Sequence, residues 1–166
     1  IFLVPLKKIS YQIKKHIWIA SVSLKSNFKN KIAVTIEEAK PIGVYFNGTN
    51  YLLIDDFGEV IDFIDEKNTF KYIKFFGENA RINVVDLLIG IPFSLKPLIK
   101  EAEYINKRRW DVILKNNIRI KLPEIEINEA LLQFVEIYDS MSAEDKSIID
   151  FFDLRIPKRA IIKFIK

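Results

Sequence analysis

The amino-acid sequence predicts an α+β fold in two parts. A small helix–strand–strand unit covers residues 1–46, and a mostly antiparallel β domain with flanking helices covers residues 47–166. Three observations predict it. Leu6, Ile9, Ile13 and Ile17 recur at helical spacing, whereas the segments after Trp18 alternate polar and apolar residues at strand spacing. Turn clusters cut the rest of the chain into short stretches, and Asn47-Gly48-Thr49-Asn50 is the best boundary among them. With 166 residues, 49% of them hydrophobic, there is ample apolar material for a packed core, which excludes a disordered chain.

In the first unit, Pro5 suits a first helical turn, because its missing N–H would be unsatisfied there anyway. Lys7, Lys8, Lys14 and Lys15 fall on the face opposite the apolar stripe, which is either a solvated face or a contact with an anionic surface. His16 closes the helix just before Trp18. Residues 19–25 and 31–37 alternate and pair across the turn Ser26-Asn27-Phe28-Lys29-Asn30. The second strand is expected to run on through Glu38-Ala39-Lys40-Pro41 into residues 42–46. Such a unit is too small to close alone. The sequence starts at Ile1 rather than Met, so a preceding strand and helix are expected to complete it.

In the second part, residues 51–54 and 59–64 flank Asp55-Asp56-Phe57-Gly58, a hairpin signal with Gly at its end. Residues 70–76 alternate aromatic and basic side chains like a strand. Residues 83–98 are apolar at helical spacing but interrupted by Gly90 and Pro92, which predicts a short helix, a break and a further turn or two. Residues 99–105, 109–114 and 118–122 form a meander with a tight Lys115-Asn116-Asn117 turn. Asn128 is expected to cap a helix over 129–138 whose apolar face is Ala130, Leu131, Phe134, Val135 and Tyr138. Two strands, 148–154 and 159–165, end the chain.

Composition removes most chemistry. There is no Cys, so disulfides, Cys-ligated zinc, iron–sulfur clusters and thiol nucleophiles are excluded. A single His leaves every imidazole-based relay to His16. Asp55/Asp56, Asp62/Asp65/Glu66, Glu101/Glu103 and Glu124/Glu126 all sit beside turns or on polar sides of strands, where carboxylates face water. The five Gly are scattered and cradle no phosphate, and Ser10, Ser142 and Ser147 lack a nearby base. No enzyme, cofactor or metal is expected. The uncharged runs 16–24 and 87–95 have nine residues each and the longest, 41–54, has fourteen, all short of the roughly 18–20 that span a bilayer.

Charge is segregated along the chain. Residues 1–36 carry seven Lys and no carboxylate, and 154–166 carry five basic residues and none, while the middle holds 14 basic and 22 acidic residues. A pI near 9.1 and the Phe70-Lys71-Tyr72-Ile73-Lys74-Phe75 run raise one alternative, a single-stranded nucleic-acid binder stacking bases over a basic aromatic sheet face. Buried strand aromatics explain the same run, and protein partners are favoured over nucleic acid.

A run of short motifs carries a family resemblance. Arg108-Arg109-Trp110-Asp111-Val112-Ile113-Leu114, a tight Asn turn and Ile118-Arg119-Ile120-Lys121-Leu122-Pro123 resemble the core hairpin of the FtsQ/DivIB bacterial cell-division family. The helix Ala130-Leu131-Leu132-Gln133-Phe134-Val135 and the closing Phe152-Asp153-Leu154-Arg155 follow in the family's order. Upstream, Trp18-Ile19-Ala20-Ser21-Val22 and Glu37-Glu38-Ala39-Lys40-Pro41 are similar to the end of a POTRA (polypeptide-transport-associated) domain, and Leu53-Ile54-Asp55-Asp56-Phe57-Gly58 to the first hairpin of the family's β domain. Two departures stand at the end: Ile156-Pro157 where the family often has Tyr, and Arg159 where a Gly often follows.

The resemblance implies a truncated POTRA-type unit, then an FtsQ-type β domain. It implies a non-enzymatic divisome scaffold that binds FtsB and FtsL and links early and late division proteins at the septum, with further division proteins contacting the POTRA unit. It also implies a single-pass bacterial inner-membrane protein with this region in the periplasm, anchored by a missing N-terminal helix. Lys7, Lys8, Lys14 and Lys15 would then be membrane-proximal. Carried over residue by residue, Arg108, Arg155, Ile156, Lys158 and Phe164 match partner contacts. With no later strand to pair with, Arg159, Ala160, Ile161 and Ile162 would offer main-chain groups to an added strand.

Overall fold

The computed structural model describes residues 4–27 and 30–165. Helix α1 (Leu6–Lys14) starts after Pro5 and lies on β1 (Ile19–Ser26), which pairs antiparallel with β2 (Ile32–Glu38) in a separate two-stranded sheet. In the turn between these strands, the Asn27 side chain accepts from the Asn30 and Lys31 amides; Phe28 and Lys29, part of the expected turn, lie outside the described residues.

The second strand does not run on as expected. The Ala39 amide bonds back to the Trp18 carbonyl, and Pro41, which has no N–H, ends the pairing. The chain then changes sheets. Strand β3 (Gly43–Phe46) joins β4 (Tyr51–Ile54) and β5 (Val60–Ile64), so the boundary read at Asn47 falls inside the β3–β4 hairpin. At the β4–β5 turn, Asp55 accepts from the Phe57 and Glu59 amides. Gly58 sits at φ +76°, and a Cβ there would collide with the Arg81 carbonyl.

The expected strand over 70–76 is shorter. Residues 66–71 wind into a 3₁₀ turn, with the Thr69 hydroxyl donating to the Glu66 carbonyl, and only β6 (Ile73–Phe76) is extended. Helix α2 (Ala80–Gly90) ends where Gly90 and Pro92 predict, and a 3₁₀ turn follows over Lys96–Leu98. Strands β7 (Ile99–Ile105), β8 (Arg109–Leu114) and β9 (Arg119–Lys121) form the meander. Helix α3 (Ile127–Ser140) begins earlier than expected. Asn128 does not cap it, and its side-chain amide donates to the Gly90 carbonyl instead, tying α3 to α2. A short α4 (Ala143–Ser147), capped by Ser142, precedes β10 (Ile149–Ile156) and β11 (Arg159–Phe164).

The nine strands run β11-β10-β9-β8-β7-β6-β3-β4-β5. Pairing is mostly antiparallel, but β3–β6, β6–β7 and β9–β10 are parallel; the last two are joined by crossovers through the helices, and β3–β6 by way of the β4–β5 hairpin and the 3₁₀ turn. Helices α2 and α3 cover one face. There Trp110, Val112, Phe75, Phe152 and Leu154 pack against Val84, Leu87, Leu131 and Phe134 in the main core. The apolar face expected for α3 is realised: Ala130, Leu131 and Phe134 are buried, and Val135 and Tyr138 pack beside them.

Candidate partner-binding edge

The sheet has two ends, β5 and β11. At β11 the Ile165 amide bonds to the Ile148 carbonyl. Alternate residues of a strand point their amides to opposite sides, so those of Ile162 and Phe164 face away from β10. Among the described residues no side chain accepts from either amide. Ala160 and Ile162 pack on the core, while Phe164 is 41% and Ile161 49% exposed. The alternation read from the sequence therefore places one partly buried and one outward set. Lys163 pairs with Asp150 at 2.8 Å and lies over the Phe151 ring.

Strand β8 starts at the end of the sheet where β10 finishes, because β8 is antiparallel to β9 and β9 parallel to β10. This brings the β7–β8 and β10–β11 hairpins to one end. Arg108 is exposed on the first, and Arg155, Ile156, Lys158 and Arg159 on the second. Among the described residues no ion pair holds Arg108, Lys158 or Arg159. Arg155 grips Asp153 with Nε at 2.8 Å and Nη2 at 2.6 Å. That fork holds the Asp153 carboxyl below the usual carboxylate range. It engages two of the five guanidinium N–H groups and leaves three for another acceptor. The turn is Pro157-Lys158, with Lys158 at φ +60°, a left-handed position that favours glycine.

Two recesses flank this hairpin. One, of about 320 Å³, is lined by Asp153, Arg155, Ile156, Arg159 and Ile161 on the face away from the helices. The other, of about 400 Å³, lies toward α3 among Pro123, Glu126, Ala130, Leu154 and Pro157. The edge thus offers main-chain groups, exposed apolar side chains and cations in one place.

The open face does not form a basic groove. Register sets Lys74 opposite Glu101, Asp111 opposite Lys121 and Lys121 opposite Asp153. Asp111, 4% exposed, is gripped by Arg109 and by Arg119 at 3.2 Å, and Arg119 also reaches Glu103 at 3.1 Å. Phe75 is buried on the opposite face. On this face Lys74, Lys121, Arg109 and Arg119 stand beside carboxylates, while Lys71 lies over the Phe70 ring, so a phosphate backbone crossing it would meet repulsion as well as attraction.

Elsewhere, Lys7, Lys8, Lys14 and Lys15 are all exposed, with Lys15 over the Tyr11 ring. Among the described residues no helix is long and apolar enough to cross a membrane, and no group of three or more His, Asp or Glu is placed to hold a metal.

Residues 43–155 match the family model described as "Cell division protein FtsQ/DivIB, C-terminal". The chain belongs to the FtsQ/DivIB family. The resemblance to this family read from the Arg-Arg-Trp hairpin and its neighbours is therefore correct, and the relatives that the chain matches are named cell division proteins. It is 32% identical over 139 residues to the cell division protein FtsQ of Rickettsia typhi, covering 82% of this chain and 51% of that protein. It is 28% identical over 158 residues to FtsQ of Zymomonas mobilis, covering 93% and 50%, and 24% identical over 150 residues to FtsQ of Rhizobium radiobacter, covering 88% and 70%. The chain thus spans about half the length of the first two. The family match begins at Gly43, the first residue of β3, where the structure also changes sheets.

Sequence reasoning missed the Arg155–Asp153 fork, although the i, i+2 spacing of opposite charges on one strand face signals it. It also missed Asp111, the buried charge behind Arg109.

Proposed function

We propose that this chain is a non-enzymatic scaffold of the division machinery that captures a partner strand along β11. The partner is the FtsB–FtsL pair, and the scaffold links early and late division proteins at the septum. Residues preceding Gly43 act as a POTRA-type unit that receives further division proteins, and the nine-stranded sheet acts as the partner-binding β domain. A preceding segment spans the bacterial inner membrane once, this region lies in the periplasm, and Lys7, Lys8, Lys14 and Lys15 stand near the bilayer.

One observation carries the reading. The last strand of an FtsQ-family sheet lies at an open edge, with outward amides at Ile162 and Phe164 and cations clustered at its turn. Main-chain pairing supplies affinity, Phe164 is the apolar anchor, and Arg108, Arg155, Lys158 and Arg159 read carboxylates on the partner. Ile156 and Ile161, beside the open-face recess, and Ala160 and Ile162, backed by the core, shape the strand.

The test is a calorimetric titration of the periplasmic FtsB–FtsL segment into the protein and into an Arg155→Ala/Phe164→Ala variant. Loss of a buried anchor and a charge-assisted contact predicts weakening by roughly 30-fold or more, about 2 kcal/mol. Unchanged affinity with an intact circular dichroism spectrum removes β11 from the site.

A further inference from the structure

The opposite end of the sheet carries a side-chain arrangement that strand addition at β11 does not use. Asp62, on β5, employs both carboxylate oxygens. Oδ2 accepts from the Trp18 indole Nε1 at 3.0 Å across 44 residues of sequence, and Oδ1 accepts from the Phe63 amide at 2.8 Å. Among the described residues, the Trp18 bond is the one side-chain hydrogen bond that joins the α1–β1–β2 unit to the nine-stranded sheet.

The Phe63 amide is an edge group. The Ile42 amide bonds to the Ile54 carbonyl, so Ile54 faces β3 and Leu53 faces β5. Leu53 stands opposite Asp62, which makes Asp62 a ladder-bonded residue and turns the neighbouring Phe63 amide out of the sheet. Asp62 therefore occupies the donor that an incoming strand would use.

The Trp18 bond has an apolar backing. Trp18 packs against a cluster of Ala39, Val44, Leu53 and Ile61, on the sheet face that α2 and α3 leave open. Between β2 and β3 only residues 39–42 intervene, and Pro41 stiffens them. Both hydrogen bonds hold the Asp62 carboxyl below the usual carboxylate range, the indole bond more than the Phe63 amide.

We infer that Trp18 and Asp62 form a latch in which one carboxylate both docks the first unit on the sheet and closes the β5 edge. The two roles are coupled through the rotamer of a single side chain. With the indole bound to Oδ2, Oδ1 is aimed at Phe63. With the indole removed, the exposed carboxylate turns freely and the Phe63 amide opens to water or to a strand.

The test is a ¹⁵N–¹H spectrum with amide hydrogen exchange on the full chain, which has two indole signals assignable by substitution. Trp18→Phe keeps an aromatic ring in the cluster but removes the donor. The account predicts at least tenfold faster exchange at Phe63, whose direct partner is untouched, with Ile162 and Phe164 unchanged. Asp62→Ala should move the Trp18 indole signal toward that of a water-exposed indole and release Phe63 to the same degree. Unaltered exchange at Phe63 in Trp18→Phe overturns the coupling, and an unmoved indole signal in Asp62→Ala overturns the latch. If Asp62→Ala fails to fold, the Trp18→Phe result decides alone.

Discussion

At β5 the sheet ends in a five-residue strand whose outward Phe63 amide is taken by Asp62; at β11 it ends in a six-residue strand whose outward amides at Ile162 and Phe164 meet no side-chain acceptor among the described residues. The charge around them is opposite. Asp55, Asp56, Glu59, Asp62, Asp65 and Glu66 surround β5, while Arg155, Lys158, Arg159 and Lys163 surround β11. The first unit leans on β5 through Trp18, and nothing among the described residues leans on the outer side of β11. An open edge risks uncontrolled pairing, and proteins commonly blunt it with charge, bulges or cover. Here β5 has all three: acidic side chains, a register shift between Leu53 and Ile54, and the Trp18 latch. The β11 edge also carries charge and two register shifts in its pairing with β10, but among the described residues nothing covers its outer side.

Because β11 packs on the main core and β5 on the smaller cluster, the largest effect comes from breaking the main core beneath β11. Phe152 is fully buried, stands opposite Ile162 and meets Phe134 edge to face. Phe152→Ala should cost about 3–5 kcal/mol. Urea unfolding followed by circular dichroism checks this, and the β11 amides should lose protection before those of β5.

The next effect separates main chain from side chain. Phe164→Ala removes the anchor and leaves the outward N–H, while Phe164→Pro removes both, and an edge strand tolerates Pro where its N–H would face solvent. The Pro variant should bind the partner segment roughly tenfold more weakly than the Ala variant, the worth of about one hydrogen bond of some 1.4 kcal/mol. Equal affinities would mean that β11 binds through its surface and not by strand pairing.

The smallest effect is electrostatic. The Arg155 fork lowers the folded-state value of Asp153, so it stabilises the fold above the ordinary carboxylate range, and that contribution is lost as pH falls through the lowered value. Asp153→Asn should lower the thermal midpoint at pH 7 by a few degrees and leave the midpoint less sensitive to acid. The pair is half exposed on the Arg155 side, which keeps the effect near the surface-pair range of up to about 1 kcal/mol.

Local periodicity made much of this readable. The β7 and β8 strands, the α3 face and the Gly90 stop are visible because i, i+2 and i, i+3/i+4 spacings need only neighbouring residues. The parallel pairings β3–β6 and β9–β10 were not, since a crossover joins segments whose sequences say nothing of each other. Residues 70–72 alternate like a strand, yet the Thr69 hydroxyl closes a 3₁₀ turn that competes with extension. Pro41 was the available signal that β2 stops and the chain changes sheets. At the candidate site, the hairpin cations and Phe164 were legible from the family's motif order. The guarding of β5 was not, because Trp18 and Asp62 lie 44 residues apart and only the folded sheet brings them together.

The central claim is that the sheet's two edges differ in availability, and amide hydrogen exchange with the partner strand bound tests it most directly. With the periplasmic FtsB–FtsL segment added at saturation, the Ile162 and Phe164 amides should slow by at least tenfold, and the amides of Val60–Ile64 should keep their rates. Unchanged exchange along β11, or slowing that appears along β5 instead, would contradict the account.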